Sequence, residues 1–343
     1  MQTTRPIPAR KVPRSRGEIL ASLSRVLVLL VMVVTMACLS PAFLTTGNML
    51  NVLRQAAPIF VLAAGQMLVI LARGIDLSMD SVAALSGVVV ATMLEQEMPV
   101  AAAMVTGLAI GAVLGLLNGL VVTKIKLPPF VTTFGTLLLF KGLTVLYIDG
   151  KVIWGFPEAF RFFGAGRIGA VPAVIFVALA IFACFHVLLR YTTFGRKLYA
   201  IGANPEASRV SGIKIDRLLV AVYVISGVLA AFACELYISR LNSAKSDIGE
   251  GFSMDAIAAT LIGGTSFEGG IGTIEGTLTG ALIIILLRNA MNLLGISPLW
   301  HGFVTGAVMV LAVIGDGLLR RAATRHIAEP HAVREAGGAT EGR

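Results

Sequence analysis

Long apolar segments with almost no charge recur along this chain, and they restrict its fold more than any other feature. Of the 343 residues, 56% are hydrophobic and only 14% are Asp, Glu, Lys or Arg. Because an average soluble domain has about 25% charged residues, a water-soluble protein of this length is excluded. The apolar segments are continuous and lack the alternation of lipid-facing β-strands. The sequence therefore predicts an all-α polytopic membrane protein.

The apolar segments predict about ten transmembrane helices, because a helix needs about 20 residues to cross the hydrocarbon core. The transmembrane domain covers 26–320, between a disordered basic tail at 1–25 and a C-terminal tail at 321–343. The segments near 75 and 255 are short or interrupted by Gly, so either could be partly re-entrant. The ten segments lie near 26–44, 51–72, 75–94, 99–122, 129–147, 171–189, 217–238, 253–267, 274–294 and 298–319.

The distribution of basic residues predicts the orientation. If the N-terminus is cytoplasmic, 20 of the 28 Lys and Arg residues fall in the inner segments and only six in the outer ones. This bias is the positive-inside pattern, and it predicts that both termini are cytoplasmic. The net charge of +9 is thereby explained by topology, so no nucleic-acid partner is expected.

The chain lacks the sequence motifs that would mark an enzyme. No GxxxxGK[ST] phosphate loop, HExxH or GxSxG is present, so no catalytic residue is predicted. Cys38, Cys184 and Cys234 lie in apolar stretches without CxxC spacing. We expect them to be buried packing residues, with no metal site and no cofactor in this chain.

A short helix is predicted in the longest inner loop, at 204–212. Asn204 is a good N-cap, Pro205 suits the first helical position, and Glu206 complements the helix dipole. Gly212 can end the helix in the left-handed conformation. A helix of about two turns is not stable in water alone. It either lies on the membrane surface or is received by a soluble partner.

Two further segments suggest breaks in transmembrane helices. In the first, Asp76 and Asp80 lie beside Arg73. Because an unpaired charge in a membrane is costly, we expect Asp76 to pair with Arg73 and to cap the helix that follows. The second, Gly263–Thr273, is rich in Gly and Thr and predicts the turn of a broken hairpin on the inner side.

Polar residues inside the predicted spans are sparse, and we expect them to face the protein interior. Most of them would serve helix packing, whereas a few could line a pathway for a hydroxylated neutral solute. The residues selected as a candidate translocation pathway or gate are Asp76, Asn118, Phe130, Thr133, Asn289 and Asn292.

Five ordered blocks between residues 45 and 320 resemble the permease subunit of ribose-type ABC sugar importers. This group belongs to the superfamily of branched-chain amino acid and ribose permeases. The blocks are GIDLS at 74–78, LLNGLVVTKIKLPPFVTTFGT at 116–136, TTFGRKLYAIGANPEASRVSGIK at 192–214, DAIAATLIGGTSFEGGIGT at 255–273 and NLLGISPLW at 292–300.

The resemblance implies a multi-pass subunit of the bacterial inner membrane that moves a monosaccharide or polyol inward. Its implied partners are cytoplasmic ATPase subunits, a periplasmic sugar-binding protein and a second permease copy, identical or paralogous, within the membrane lipid. ATP and Mg²⁺ would bind the partner ATPase. The helix at 204–212 would be the coupling helix that docks on that ATPase, through Asn204, Pro205, Glu206, Ala207, Arg209 and Gly212.

Two positions depart from the family pattern. The family usually has Gly immediately before GIDLS and again two residues after it, where this chain has Arg73 and Asp80. An ion-coupled secondary transporter that uses Asp76, Asp80 or Glu235 remains the alternative. A third hypothesis is an intramembrane enzyme, which the absence of the catalytic motifs above disfavours.

Overall fold

The computed structural model describes residues 16–311 and 314–315, and side chains from Val26 onward. Most of the segments predicted as tails therefore lie outside the described residues. The helices are α1 Arg16–Leu39, α2 Thr46–Leu71, α3 Met79–Glu95, α4 Val100–Leu120, α5 Pro129–Ile148, α6 Glu158–Ala165, α7 Ala173–Tyr191, α8 Thr193–Ala203, α9 Pro205–Val210, α10 Ile215–Leu241, α11 Phe252–Ile262, α12 Ile274–Leu293 and α13 Pro298–Leu311.

The described chain is helical throughout its apolar part, which confirms the all-α membrane class. Six of these helices are long and apolar enough to cross a membrane: α2, α4 with its π-helical extension Val121–Ile125, α5, α7, α10 and α12. The apolar helices Val26–Leu39, α11 and α13 are shorter, and α3 has only 17 residues. The predicted number of about ten spans therefore remains a prediction.

The start of α1 and the burial of the cysteines differ from the sequence-based expectations. Helix α1 begins at Arg16 and so extends into the segment predicted as a disordered tail. The expectation that all three cysteines are buried is wrong, because Cys38 and Cys184 are exposed on this chain and only Cys234 is buried. Both exposed cysteines lie on apolar helices, where hydropathy alone does not distinguish a lipid-facing from a protein-facing side.

Helices α2 and α10 form the centre of the molecule. Every residue from Ala56 to Leu71 of α2 is buried, as expected for a helix that is hydrophobic on all sides. Helix α10 packs against α4, α2, α3 and α6, and α2 also contacts α11, α12 and α7. These two helices therefore connect nearly all the others.

A glycine stripe on α4 brings this helix into close contact with α10. Its members are spaced four residues apart, so they share one face of the helix. A Cβ atom at Gly111 would overlap Gly227 O, and one at Gly115 would overlap Tyr223 O. Small residues at such spacing allow two backbones to approach, which supports packing where no hydrophobic effect drives it. The stripe comprises Gly107, Gly111, Gly115 and Gly119.

Helices α3 and α11 both pack against α2 inside the molecule. The chain turns back after α2, so that the Met79 side chain lies against Gly65. Thr260 of α11 donates a hydrogen bond to Ala63 O of α2 (3.2 Å). Asp80 N, in the first turn of α3, donates to Ser253 Oγ in the first turn of α11 (3.2 Å). The N-termini of these two short helices therefore meet within the bundle, and the expectation of broken helices near 75 and 255 agrees with this arrangement.

The connections that follow α5 and α10 form a small cap on the C-terminal end of α10. Strand β1 (Ile153–Trp154) pairs antiparallel with β4 (Ser243–Ala244), and β2 (Arg167–Ile168) pairs with β3 (Val171–Pro172). In the connection between α5 and α7, residues 149–172, the α-helical part is α6. Ser239 Oγ accepts from Gly164 N (2.8 Å) and donates to Phe160 O (2.7 Å), which fixes α6 against the end of α10.

Candidate translocation and coupling site

A buried polar cluster surrounds Asp76 at the break between α2 and α3. One carboxylate oxygen, Oδ1, accepts from Ser78 N (2.9 Å) and Ser78 Oγ (2.6 Å). The other oxygen, Oδ2, accepts from Ser226 Oγ of α10 (3.0 Å). Asp76 is 2% exposed, and both serines are fully buried. Hydroxyl and amide donors thus compensate the cost of burying this carboxyl group.

Three further helices contribute to this cluster, which we call the Asp76 hub. Asn118 Nδ2 of α4 donates to Ser78 Oγ (2.7 Å), and Thr133 Oγ1 of α5 donates to Ile75 O (3.0 Å). In the amide orientation that satisfies both of its groups, Gln66 of α2 donates to Asp76 O (3.1 Å) and accepts from Asp76 N (3.3 Å). The hub therefore holds α2, α4, α5 and α10 together around the start of α3.

The hub contains three of the six predicted pathway residues, namely Asp76, Asn118 and Thr133. The other three lie elsewhere. Asn289 exchanges two amide hydrogen bonds with Asn48 of α2 (3.0 and 2.8 Å). Phe130 is exposed and stacks on Phe134, with 6.2 Å between ring centroids, and Asn292 is exposed near the end of α12. The six residues therefore do not form one continuous lining in this conformation.

Asp80 connects the two short helices. Its Oδ2 accepts from Gly251 N (3.1 Å), and its Oδ1 accepts from Ser253 N at very short range. In return, Asp80 N donates to Ser253 Oγ (3.2 Å). Gly251, the N-cap of α11, has no side chain of its own to satisfy the free amides of the first turn. Asp80 supplies this cap from α3.

Two further buried groups lie outside the hub: Asp255, which the sequence did not single out as a site residue, and Glu235, which it named only for the ion-coupled alternative. Asp255 of α11 forms a close ion pair with Arg288 of α12, and Asp255 is only 4% exposed. The sequence signal that could have predicted this pair is an acidic and a basic residue in two neighbouring apolar segments. Glu235 of α10 is buried against Gly107, and neither of its carboxyl oxygens has a partner among the described residues.

Arg73 does not pair with Asp76, so that expectation is wrong. Arg73 Nε donates to Gly202 O (2.7 Å) and Nη2 to Ala203 O (2.8 Å), at the C-terminus of α8. The last carbonyls of a helix lack partners and carry partial negative charge, so a guanidinium is well placed there. Asp76 turns instead into the bundle, where hydroxyl groups are within reach.

The end of α2, helix α8 and the 263–273 loop meet next to Arg73. Gly270 N of the 263–273 loop donates to Leu71 O (3.0 Å), and a Cβ atom at Gly202 would overlap both groups. Tyr199 of α8 donates to Gly272 O (2.8 Å). Burial raises the pKa of Tyr199 to about 12, with a further contribution from the negative charge of Glu275, so this hydroxyl stays protonated. The loop therefore closes a broken hairpin between α11 and α12.

The helix predicted at 204–212 is present as α9. Asn204 Oδ1 accepts from Ala207 N (3.0 Å), Pro205 is the first helical residue, and Gly212 has a φ of +78°. These features confirm the predicted start and end of the helix. Glu206 and Arg209 are exposed and lie 3.7 Å apart, and Val210 is 90% exposed. Helix α9 thus presents a mixed apolar and charged surface that none of the described residues covers.

Residues 48–313 match the family model described as the permease component of the branched-chain amino acid transport system. The chain belongs to this permease family. The permease is 43% identical to the ribose import permease protein RbsC of Bacillus subtilis (strain 168) over 290 residues, which cover 84% of the chain and 90% of the relative.

Other relatives have similar coverage. The permease is 40% identical to RbsC of Escherichia coli (strain K12) over 292 residues, or 84% of the chain and 91% of the relative. It is 36% identical to the galactose/methyl galactoside import permease protein MglC of the same strain over 310 residues, which cover 85% of the chain and 92% of the relative. No solved structure gave a significant match. The permease is therefore a transport component rather than an enzyme.

Proposed function

We propose that the permease is the membrane subunit of an ABC importer that carries a monosaccharide or polyol across the bacterial inner membrane. The relatives named for ribose and galactose import, which match most of the chain, are the observation that carries this proposal. In such an importer a periplasmic sugar-binding protein delivers the solute, ATP and Mg²⁺ bind separate ATPase subunits, and a second permease copy completes the pathway. With both termini inside, the chain crosses the membrane about ten times.

Helix α9 is the proposed docking site for the ATPase. Its N-cap and Pro205 fix the start of the helix without help from a partner, so the helix is already formed in the free chain. Val210 is almost fully exposed and lies next to Arg209, so it offers an apolar contact within a charged rim. Exposed apolar groups surrounded by polar residues are typical of protein interaction sites.

A continuous set of contacts leads from α9 to the hub. Helix α9 follows directly on the C-terminus of α8, whose last carbonyls bind Arg73. Three residues beyond Arg73 along the chain lies Asp76, which anchors the start of α3 to α10. We therefore propose that movement of α9 with the ATPase shifts 73–78 and alters the packing of the hub helices. ATP can shift the complex between two states only if the ATPase subunits bind it with different affinity in those states.

The second copy is proposed to pack near the exposed side of α5. Thr133 faces the hub, whereas Phe130, Val131 and Phe134 of the same helix are exposed. In this arrangement the hub would stand directly behind the pathway and would set the position of α5. Phe130 would then be a gate residue of a pathway between two copies.

The ATPase docking is tested with Val210→Asp, because this side chain is exposed and its replacement leaves the packing of the chain intact. Val152→Asp is the matched control, since Val152 is also exposed and lies in the connection after α5, on the predicted outer side. We expect Val210→Asp to lose the ATPase that co-purifies with the full-length permease, and Val152→Asp to retain it. Retention by both variants, with unchanged uptake, would remove α9 from the coupling path.

Transport itself is tested by uptake of labelled ribose and galactose into proteoliposomes that contain the purified complex. Uptake that requires enclosed ATP is the expected result. Ion-coupled transport is the second candidate, and the unpartnered Glu235 carboxyl is the observation that favours it. Uptake driven by a proton or sodium gradient without ATP, and abolished by Glu235→Gln, would establish that alternative instead.

A further inference from the structure

A basic cavity lies between α8 and the start of α10, on the side of the molecule that carries α9. Its volume is about 440 Å³. Lys197, Lys214 and Arg217 line it together with Ile213, Leu218 and Ala221. Gly212, at the end of α9, also borders the cavity. The three cations and the three apolar residues belong neither to the hub nor to α9, so the roles assigned above do not explain their grouping.

The three cations that line the cavity have no acidic partner. All three are exposed, and within the described part of the chain no carboxylate lies within ion-pair distance of any of them. Asp216 is adjacent to Arg217 in sequence, but it does not line the cavity. Three like charges around one cavity favour a negatively charged occupant, because their mutual repulsion is then offset.

The apolar lining follows the cations in the direction of the membrane. Helix α10 begins at Ile215, so Arg217 lies at the very start of this span. Ala221 lies about 6 Å farther along the helix axis, at a rise of about 1.5 Å per residue. Leu218 and Ala221 therefore extend the cavity from the level of the charges toward the hydrocarbon core. A free phosphate ion would gain nothing from these apolar side chains.

We propose that this cavity binds an anionic phospholipid, with the headgroup phosphate between Lys197, Lys214 and Arg217 and an acyl chain against Leu218 and Ala221. Phospholipids have the same order of chemistry along their length, with a phosphate at the interface and hydrocarbon beneath it. The positive-inside bias assigns this side to the cytoplasm, where the leaflet carries anionic lipid. The proposal concerns a lipid site and does not depend on the transported solute.

The test compares lipids bound to the purified full-length permease by native mass spectrometry, in mixtures of phosphatidylglycerol and phosphatidylcholine. We expect the unmodified chain to retain phosphatidylglycerol selectively. A variant with Lys197→Gln, Lys214→Gln and Arg217→Gln should bind it about a hundredfold more weakly, since each juxtamembrane cation contributes about a fivefold factor. The matched control is Lys124→Gln, Lys126→Gln and Arg196→Gln, which removes the same charge from exposed inner positions outside the cavity.

Ala221→Phe separates the lipid from a free anion. Filling the apolar end should displace phosphatidylglycerol while leaving all three cations in place. Binding of inorganic phosphate that persists in this variant and competes with the lipid in the unmodified chain would overturn the proposal in favour of a free-anion site. If the cavity variant and the control variant lose phosphatidylglycerol binding equally, general surface charge explains the effect and the proposed site is wrong. Unchanged lipid binding combined with loss of the ATPase would make the cavity a protein contact.

Discussion

Arg73 occupies a backbone conformation that normally suits glycine. Its φ is +64°, in the left-handed region, which costs an ordinary residue about 1–2 kcal/mol. The two hydrogen bonds to the last carbonyls of α8 compensate this cost, because a bond to a charged group contributes about 1.5–3 kcal/mol. The departure from the family glycine is therefore explained by a contact that glycine cannot make.

Substitutions at Arg73 should separate these two contributions. Arg73→Gly loses both hydrogen bonds but relieves the backbone, whereas Arg73→Ala loses the bonds and keeps the unfavourable φ. We expect both variants to be less stable than the unmodified chain, and Arg73→Ala to be the less stable of the two by about 1 kcal/mol. Thermal unfolding of the detergent-purified permease measures this order. An Arg73→Gly variant as stable as the unmodified chain would show that the hydrogen bonds contribute no more than the unfavourable φ costs.

Asp80 is the second departure from the family pattern, and its carboxylate caps another helix. Asp80→Gly should lose both acceptor contacts to the first turn of α11, whereas Asp80→Asn keeps one acceptor oxygen. Loss of an N-cap costs about 1 kcal/mol, so amide hydrogen exchange at 251–255 should rise most in Asp80→Gly. Glu95→Gln, an exposed change at the other end of α3, is the control. Equal exchange in all three variants would contradict the capping role.

At the scale of helices, the contact between α4 and α10 depends on the absence of side chains. Gly111→Ala should separate the two backbones and destabilise the fold by about 1–3 kcal/mol, the usual cost of overpacking. Gly142→Ala on α5 is the matched control, because a Cβ atom there would meet no atom within 4 Å. The yields of monodisperse protein and the melting temperatures should fall for the first variant only. A similar fall in both would point to a general effect of losing glycine.

Features that depend on neighbours in sequence were predictable, and those that join distant segments were not. The start and end of α9 follow from Asn204, Pro205 and Gly212, which act within one short stretch. The Asp76–Ser226 hydrogen bond joins residues 150 positions apart, and no local pattern reports it. Arg73 was assigned to the nearest acid because the sequence does not show that helix α8 ends beside it.

Hydropathy also misjudged the length of interrupted spans. The segment 253–267 was predicted as one span, whereas α11 covers only Phe252–Ile262 and the chain then turns through glycines. Hydropathy extends the span because apolar residues in a buried turn score like those in a helix. The Gly- and Thr-rich composition of Gly263–Thr273 predicted the turn correctly, since α11 ends at Ile262. The structure locates it through backbone hydrogen bonds, such as Gly270 N to Leu71 O.

At the scale of the whole molecule, the predicted orientation explains why its basic residues cluster on one side. Arg73, the end of α8, α9 and the 263–273 loop lie together, and β1, β4 and α6 lie together at the C-terminal end of α10. The first group coincides with the segments that the positive-inside bias assigns to the cytoplasm. The contacts and the charge count are independent observations, and they group the loops in the same way.

Accessible single cysteines test this orientation and the even number of spans. In a chain with Cys38, Cys184 and Cys234 replaced by serine or alanine, Lys151→Cys should react with an impermeant maleimide on intact spheroplasts. Ala207→Cys should react only after permeabilisation, because both positions are exposed but lie on opposite sides. Thr3→Cys and Thr340→Cys should behave like Ala207→Cys, since an even number of crossings returns both ends to the cytoplasm. Labelling of one terminus in intact spheroplasts would make the number of spans odd, and at least one of the short helices would then not cross.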